Sequence, residues 1–327
     1  MEYVESKFNF ERGIQHKTAS EIQSTIIAGK KFDHFKGLSM VLLGAVLWGV
    51  SGTAAQVLFQ RDGFDPGWLV STRMSASGLL LLLAVAIRSG CKPVFSVWGN
   101  TKDSLRLILF GILGLLGVQY SYFASIQYGN AATATLLQYL GPVFITVYLA
   151  FRRRSMPNRW ESIAVVLALI GTFFLVTNGK WQGLSVSTPA VVWGLISALT
   201  LSFYTLYPKG LLQSYGSATT LGWAMVIGGL VMAFKNPPWH FVGYSSFGAW
   251  WLVGFVVLFG TLIPFYLYIS SLNYISASEA SLLACGEPLS AAIVAMAFLH
   301  VNMGAFAVFG GLCILATVVI LARKSSA

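Results

Sequence analysis

The stretch GTLIPFYLYISSLNYISASEASLLACGEPLSAAIVAM, residues 260–296, reads as two apolar helices joined by a polar turn. The first carries Pro264 and the second carries Glu287 followed at once by Pro288. Upstream, GLLGVQYSYFASIQYGNAATATLLQYLGP at residues 114–142 is a weaker copy of it. Laid over each other without a gap (260 − 114, a shift of 146), the two agree at Gly114/Gly260, Tyr120/Tyr266, Tyr122/Tyr268, Ser125/Ser271, Tyr128/Tyr274, Ala131/Ala277, Ala134/Ala280, Leu136/Leu282, Leu137/Leu283 and Pro142/Pro288. Identities this dense point to an internal duplication, which must be settled before a fold is read. The copies part at one position of chemical weight: Glu287 stands where the first copy has Gly141.

Working outward, the whole chain shares the apolar character of that stretch. Of 327 residues, 56% are hydrophobic and 10% charged, against about 25% charged in an ordinary soluble domain. A bilayer core about 30 Å thick needs about 20 apolar residues per helix. Runs that fit fall at 37–58, 66–88, 104–126, 130–151, 158–177, 186–208, 217–234, 247–271, 277–299 and 302–322. The expected fold is all-α: a polytopic membrane protein of ten transmembrane helices. Residues 1–36 are polar and mixed in charge, without the apolar run of a signal peptide, and are read as a cytoplasmic tail. Cys91, Cys285 and Cys313 show no pairing or metal-ligand spacing and are read as small packing residues.

The net charge of +10 is a matter of topology rather than of nucleic-acid binding. With those ten runs, seventeen Lys and Arg fall on the side of the N-terminus, against Arg61, Lys180 and Lys235 on the other. Basic residues concentrate on the cytoplasmic face, so both termini are expected in the cytoplasm of a multi-pass protein of the cell membrane. The duplication reaches further than the opening stretch, since Ala45-Val-Leu-Trp48-Gly49 recurs as Ala190-Val-Val-Trp193-Gly194. Five helices per half make the second half enter from the opposite side. The domains expected are therefore a tail (1–36) and two inverted five-helix repeats (37–177 and 186–322). Inverted repeats place a site near the midplane and permit alternating access by rocking.

Few residues can carry chemistry inside such a bundle. Glu279 completes Ser276-Ala-Ser-Glu279, a capping-box pattern at a helix start. Glu287 lies eight residues further on, or about 12 Å deeper at 1.5 Å per residue, where no capping role exists. Pro288 lacks the N–H that would bond the carbonyl of Ala284, leaving a free acceptor beside the carboxyl group. Two readings of Glu287 stand: a group that takes up a proton, meets a substrate ammonium or pairs with Arg73, and a hydrogen-bonded structural acid. Arg73, about two turns into its helix, is either a functional cation or a side chain snorkelling to the outer headgroups. Trp48, Gln119, Tyr120, Gln138, Tyr139, Trp193, Tyr204 and Tyr266 are uncharged candidates for the same cavity, suited to an amphiphilic or cationic organic solute. Pro142, Pro264 and Pro288 are expected to kink their helices. Gly111, Gly114 and Gly117 read as a close-packing ridge, since no strand precedes them and no Lys-Ser/Thr follows. No cofactor motif is present, and no GxxxxGK[ST] pattern occurs.

Taken in order, Ala45-x-x-Trp48-Gly49, Arg73, Tyr122-Phe-Ala-x-x-x-Tyr128…Leu137…Pro142 and Tyr268…Tyr274…Leu283…Glu287-Pro288 resemble the drug/metabolite transporter superfamily, in its EamA-type ten-helix branch. The resemblance covers about residues 37–322 and implies a secondary transporter, often an exporter of amino acids, metabolites or drugs, with a cavity between the repeats. The partners it implies are a small organic solute and the lipid bilayer, with no nucleic acid, the protein acting as a monomer or homodimer. An intramembrane enzyme or lipid-handling protein is the alternative, and it would require a catalytic pair where Glu287 is the only deep acid. A channel would require a pore ring that an inverted repeat makes unnecessary.

Overall fold

The computed structural model describes residues 33–154, 158–180, 185–240, 243–271, 274–275, 280, 283–301 and 303–324. Those residues form helices and connecting turns, with no strand among them. Among the described residues, seven helices are long and apolar enough to cross a membrane. They are α1 (Asp33–Gln60), α2 (Pro66–Ser89), α3 (Thr101–Tyr128), α4 (Ala131–Arg152), α5 (Arg159–Thr177), α6 (Thr188–Leu206) and α8 (Phe247–Tyr268). Between α6 and α8, the short helix Lys209–Tyr215 turns by 119° into α7 (Ser217–Ala233). Two shorter apolar helices follow, α9 (Gly286–Leu299) and α10 (Ala305–Lys324). Asp33 to Lys36, read from the sequence as the end of a polar tail, already belong to α1. Residues 1–32 and Glu279 with its capping box lie outside the described residues.

Local chemistry sets the helix ends. Asp65 caps α2 by accepting from the Trp68 amide, with Pro66 in the first turn where its missing N–H costs nothing. Asn158 and Glu161 close a reciprocal capping box on α5. At the far ends, Arg154, Asn178 and His300 take left-handed backbone at φ of 51°, 50° and 50°, which stops a helix by turning the next amide away from the ladder.

Small residues draw the helices together, as van der Waals packing requires where lipid offers no hydrophobic gain. Helices α2 and α5 of the first half each pack on the helix five further along, α7 and α10. Gly78 of α2 lies where a Cβ would come 2.8 Å from the Gly222 carbonyl of α7, and Gly171 of α5 within 2.7 Å of the Gly310 carbonyl of α10. Gly111 backs onto Ala224 and Ile227 of α7, and Gly117 onto Thr200 of α6, so the glycine row of α3 is a packing ridge. One core gathers Leu58, Phe64, Met74, Phe110, Phe123 and Met225. A second gathers Leu137, Leu140, Leu175, Ala198 and Ile314 from α4, α5, α6 and α10. Leu79, Leu83 and Ile87 on α2, Leu169 on α5, Ile293 and Phe298 on α9 and Leu312 on α10 face outward, an arrangement a bilayer satisfies and water does not.

Among the described residues, regular α geometry is interrupted at matching places in the two halves. A π-helical segment interrupts α3 at Phe110–Leu116 and α8 at Leu258–Leu262. A turn breaks α4 at Tyr139 and Leu140, and another at Cys285 precedes α9. Tyr139 and Cys285 are 146 positions apart (285 − 139), the shift of the duplication, and the π segments overlap at the same shift. Wide turns of this kind concentrate at functional sites and hinges. Pro142 and Pro288 sit just beyond the two breaks, while Pro264 follows the π segment of α8.

Candidate substrate and coupling site

The breaks in α4 and α9 face each other. Pro288 cannot donate to the carbonyl of Ala284, and that orphaned acceptor finds a donor in the other half of the chain: Tyr139 Oη donates to Ala284 O at 2.5 Å. The same hydroxyl stands 3.3 Å from Glu287 Oε2. Glu287 is partly buried, and its own carbonyl accepts from Ser290 Oγ at 2.9 Å. Helix α1 seals this junction with Gly49, whose missing Cβ lets it lie directly on the Glu287 carbonyl and the Ala291 amide.

Arg73 is 5% exposed, with its guanidinium directed inward. Its Nη2 donates to Gln119 Oε1 at 2.6 Å, and its guanidinium carbon lies 4.4 Å from the centre of the Phe123 ring. A hydrogen bond and a desolvated cation–π contact offset part of the several kcal/mol that burying a cation costs. Among the described residues, Arg73 Nε and Thr72 Oγ1 are buried with no hydrogen-bond partner. Among the described residues Arg73 makes no direct ion pair with Glu287.

The remaining sequence candidates fall mostly into pairs. Trp48 of α1 meets Phe265 at 5.2 Å, edge on, and Tyr268 at 5.8 Å. Trp193 of α6, its counterpart in the second half, meets Tyr120 of α3 edge on at 5.4 Å. Gln138, one residue before the α4 break, donates to Ser197 Oγ at 2.7 Å and ties α4 to α6. Tyr204 stacks on Phe110 beside the π segment of α3. The structure does not bring Tyr266 to this centre: the residue is 56% exposed. Phe265 and Tyr268 occupy the face of α8 turned to Trp48, and residues one and two positions away from them cannot share it at 100° per residue. Tyr122 was absent from the sequence candidates, yet its hydroxyl bonds Thr135 Oγ1 at 2.8 Å and fills the space left by Gly52 on α1. Its recurrence as Tyr268 was the available sign. His240 and His300 are exposed, as is Cys91, while Cys285 and Cys313 are buried. Among the described residues no group of three or more His, Cys, Asp and Glu stands close enough to hold a metal ion.

Interrupted apolar helices that meet at a carboxyl group, in a bundle that also buries a guanidinium, are the construction of a membrane transporter. The chain belongs to the EamA-like transporter family, whose profile matches residues 35–177 and again 188–323. It is 36% identical over 294 residues to the inner membrane transporter YicL of Salmonella typhimurium, covering 89% of this chain and 96% of that one. The threonine/homoserine exporter RhtA of Escherichia coli K12 is 26% identical over 80% of this chain and 83% of its own. The riboflavin transporter ImpX of Fusobacterium nucleatum is 24% identical over 80% and 89%. One solved crystal structure superposes with a TM-score of 0.58 at 15% identity, covering 91% of this chain and 99% of that chain, and so shares the fold. The protein is thus a multi-pass membrane transporter, not an enzyme.

Proposed function

We propose that the protein is a secondary carrier that exports small organic metabolites, amino acids or related amphiphilic solutes and drugs, by alternating access, with Glu287 coupling the cycle to protons. The observation that carries this reading is the junction of the two broken helices, where Tyr139 of α4 meets both Ala284 and Glu287 of the second half. A charged group at a helix interruption near the midplane is where such carriers bind and couple. The architecture proposed is ten helices in two inverted five-helix repeats, 37–177 and 186–322. It is supported by the double match of the family profile and by breaks at equivalent places in both halves. Rocking of one repeat against the other, about the π segments of α3 and α8, then exposes the site to each side in turn. Arg73, Trp48, Tyr120, Gln138 and Trp193 line or support it. Both termini are assigned to the cytoplasm and the protein to the cell membrane, on the distribution of Lys and Arg. The exporter and transporter relatives support a small organic solute.

The test is a metabolite panel in proteoliposomes with and without an imposed pH gradient, for the parent and for Glu287→Gln. The glutamine keeps the shape of the side chain and removes the charge. Gradient-driven transport is lost and substrate exchange retained if the reading is right. Parent-like transport by the glutamine variant, with unchanged pH dependence, makes Glu287 a structural acid and ends the proton-coupling reading.

A further inference from the structure

We propose that Tyr139 is the positioning residue that ties the charge of Glu287 to the break in α9: its single hydroxyl proton is shared between the Ala284 carbonyl and the Glu287 carboxyl group. The inference rests on the reading of Glu287 as the titrating group. Three observations meet at this hydroxyl. Pro288 leaves the Ala284 carbonyl without a helical donor, so an acceptor in a dry interior needs a partner from outside α9. Tyr139 supplies it at 2.5 Å, reaching across from the break in α4. Glu287 Oε2, one turn along α9 and 3.3 Å from the same oxygen, is the competing acceptor.

A phenol has one proton to give, so the two acceptors compete. Hydrogen bonds to an ionised acceptor are about twice as strong as those to a neutral one. A neutral Glu287 therefore leaves the hydroxyl on Ala284, where it holds the two breaks together as in the present structure. An ionised Glu287 draws the hydroxyl to Oε2 and leaves the carbonyl at the break free, so that the turn at Cys285 is no longer held to α4. The proton state of one side chain is thus converted into the stiffness of a helix junction between the two halves. No other tyrosine does this at the equivalent place, since Cys285, just before α9, occupies the position of Tyr139 in the α4 break.

Among the described residues, few charged and titratable groups face Glu287. Tyr139 comes from α4, Arg73 from α2 and Tyr122 from α3, and Cys285 is its neighbour two residues before. Tyr268 of α8 acts on Tyr139. Helix α1 meets Glu287 through Gly49 and has no ionisable residue from Gly37 to Gln60. Of these groups only Tyr139 hydrogen-bonds the carboxyl group among the described residues.

The proton itself is the probe. Purified protein is reconstituted into phosphatidylethanolamine and phosphatidylglycerol vesicles and titrated by infrared difference spectroscopy, following the C=O stretch of a protonated carboxyl group; Glu287→Gln assigns the band. Tyr139→Phe removes only the hydroxyl. The midpoint of the Glu287 band then moves to the alkaline side by about one pH unit, the tenfold change that one hydrogen bond to a charged group supplies. Where Tyr139→Phe alone fails to insert, Tyr139→Phe with Pro288→Ala carries the same test, because the restored backbone N–H satisfies the Ala284 carbonyl. If Glu287→Gln removes no titrating band, the coupling reading itself fails. If it removes the band but the midpoint stays at the parent value in Tyr139→Phe and in the double variant, Glu287 titrates and the role given to Tyr139 is wrong.

Discussion

Replacing Gly49 by alanine tests the contact from which the central junction hangs. A Cβ on Gly49 falls 2.6 Å from the carbonyl oxygen of Glu287 and 2.7 Å from the amide nitrogen of Ala291. Both are backbone atoms of α9, so no rotamer change relieves the overlap. To reach an ordinary contact of about 3.5 Å, α1 and α9 must separate by about 1 Å. Overpacking of this kind costs about 1–3 kcal/mol, and two rigid backbones place the cost in the upper half of that range. The better helix propensity of alanine offsets up to about 1 kcal/mol, leaving a net loss of about 1–2 kcal/mol. The matched control is Gly254→Ala in α8, where nothing lies within 4 Å of the new Cβ and only the propensity gain remains. The assay is thermal unfolding of each purified variant in one detergent, read as the folded fraction surviving a temperature series. Gly49→Ala melts several degrees below the parent and Gly254→Ala at or above it. A Gly49→Ala protein as heat-stable as Gly254→Ala refutes the direct backbone contact between α1 and α9, and with it the placement of Glu287 against α1.

Other outcomes follow from the same structure. Arg73→Lys keeps part of the transport activity, because an ammonium still reaches Gln119, whereas Arg73→Leu abolishes it with the protein present in the membrane; full transport by the leucine variant assigns Arg73 to packing alone. Of the three cysteines only Cys91 is exposed, so a bulky maleimide adds once to the protein in native membranes and not at all to Cys91→Ser; labelling at Cys285 or Cys313 contradicts their burial. Reporter fusions after Ser155 and Ser325 read cytoplasmic and those near Gly63, Trp181 and Tyr244 read external. An external signal at Ser155 reverses the orientation and the inverted-repeat argument with it.

The sequence by itself determined the class of protein, the places of the apolar runs, the duplication and the family. Each of these rests on quantities local to the chain: hydropathy over about 20 residues, identities at a constant shift, and the order of short motifs. It also marked Glu287 and Arg73, because a charge in an apolar run is conspicuous without knowing what surrounds it, and it foresaw the free acceptor at Ala284, because a proline's missing N–H is written in its covalent structure. What fills that acceptor was not legible. Tyr139 lies 145 residues earlier in the chain (284 − 139), and its meeting with Ala284 depends on how two interrupted helices cross. The same limit applies to rotation about a helix axis. Tyr266 and Phe265 are neighbours in sequence and equally apolar in setting, yet α8 turns one outward and the other onto Trp48. Arg73 was balanced in the sequence between the headgroups and the interior; Gln119 and Phe123, brought beside it by the packing of α2 on α3, decided for the interior. The breaks themselves fall at Tyr139–Leu140 and Cys285, each beginning three residues before a proline; at the second, the carbonyl that Pro288 leaves free is satisfied by Tyr139, a partner that only the tertiary structure supplies.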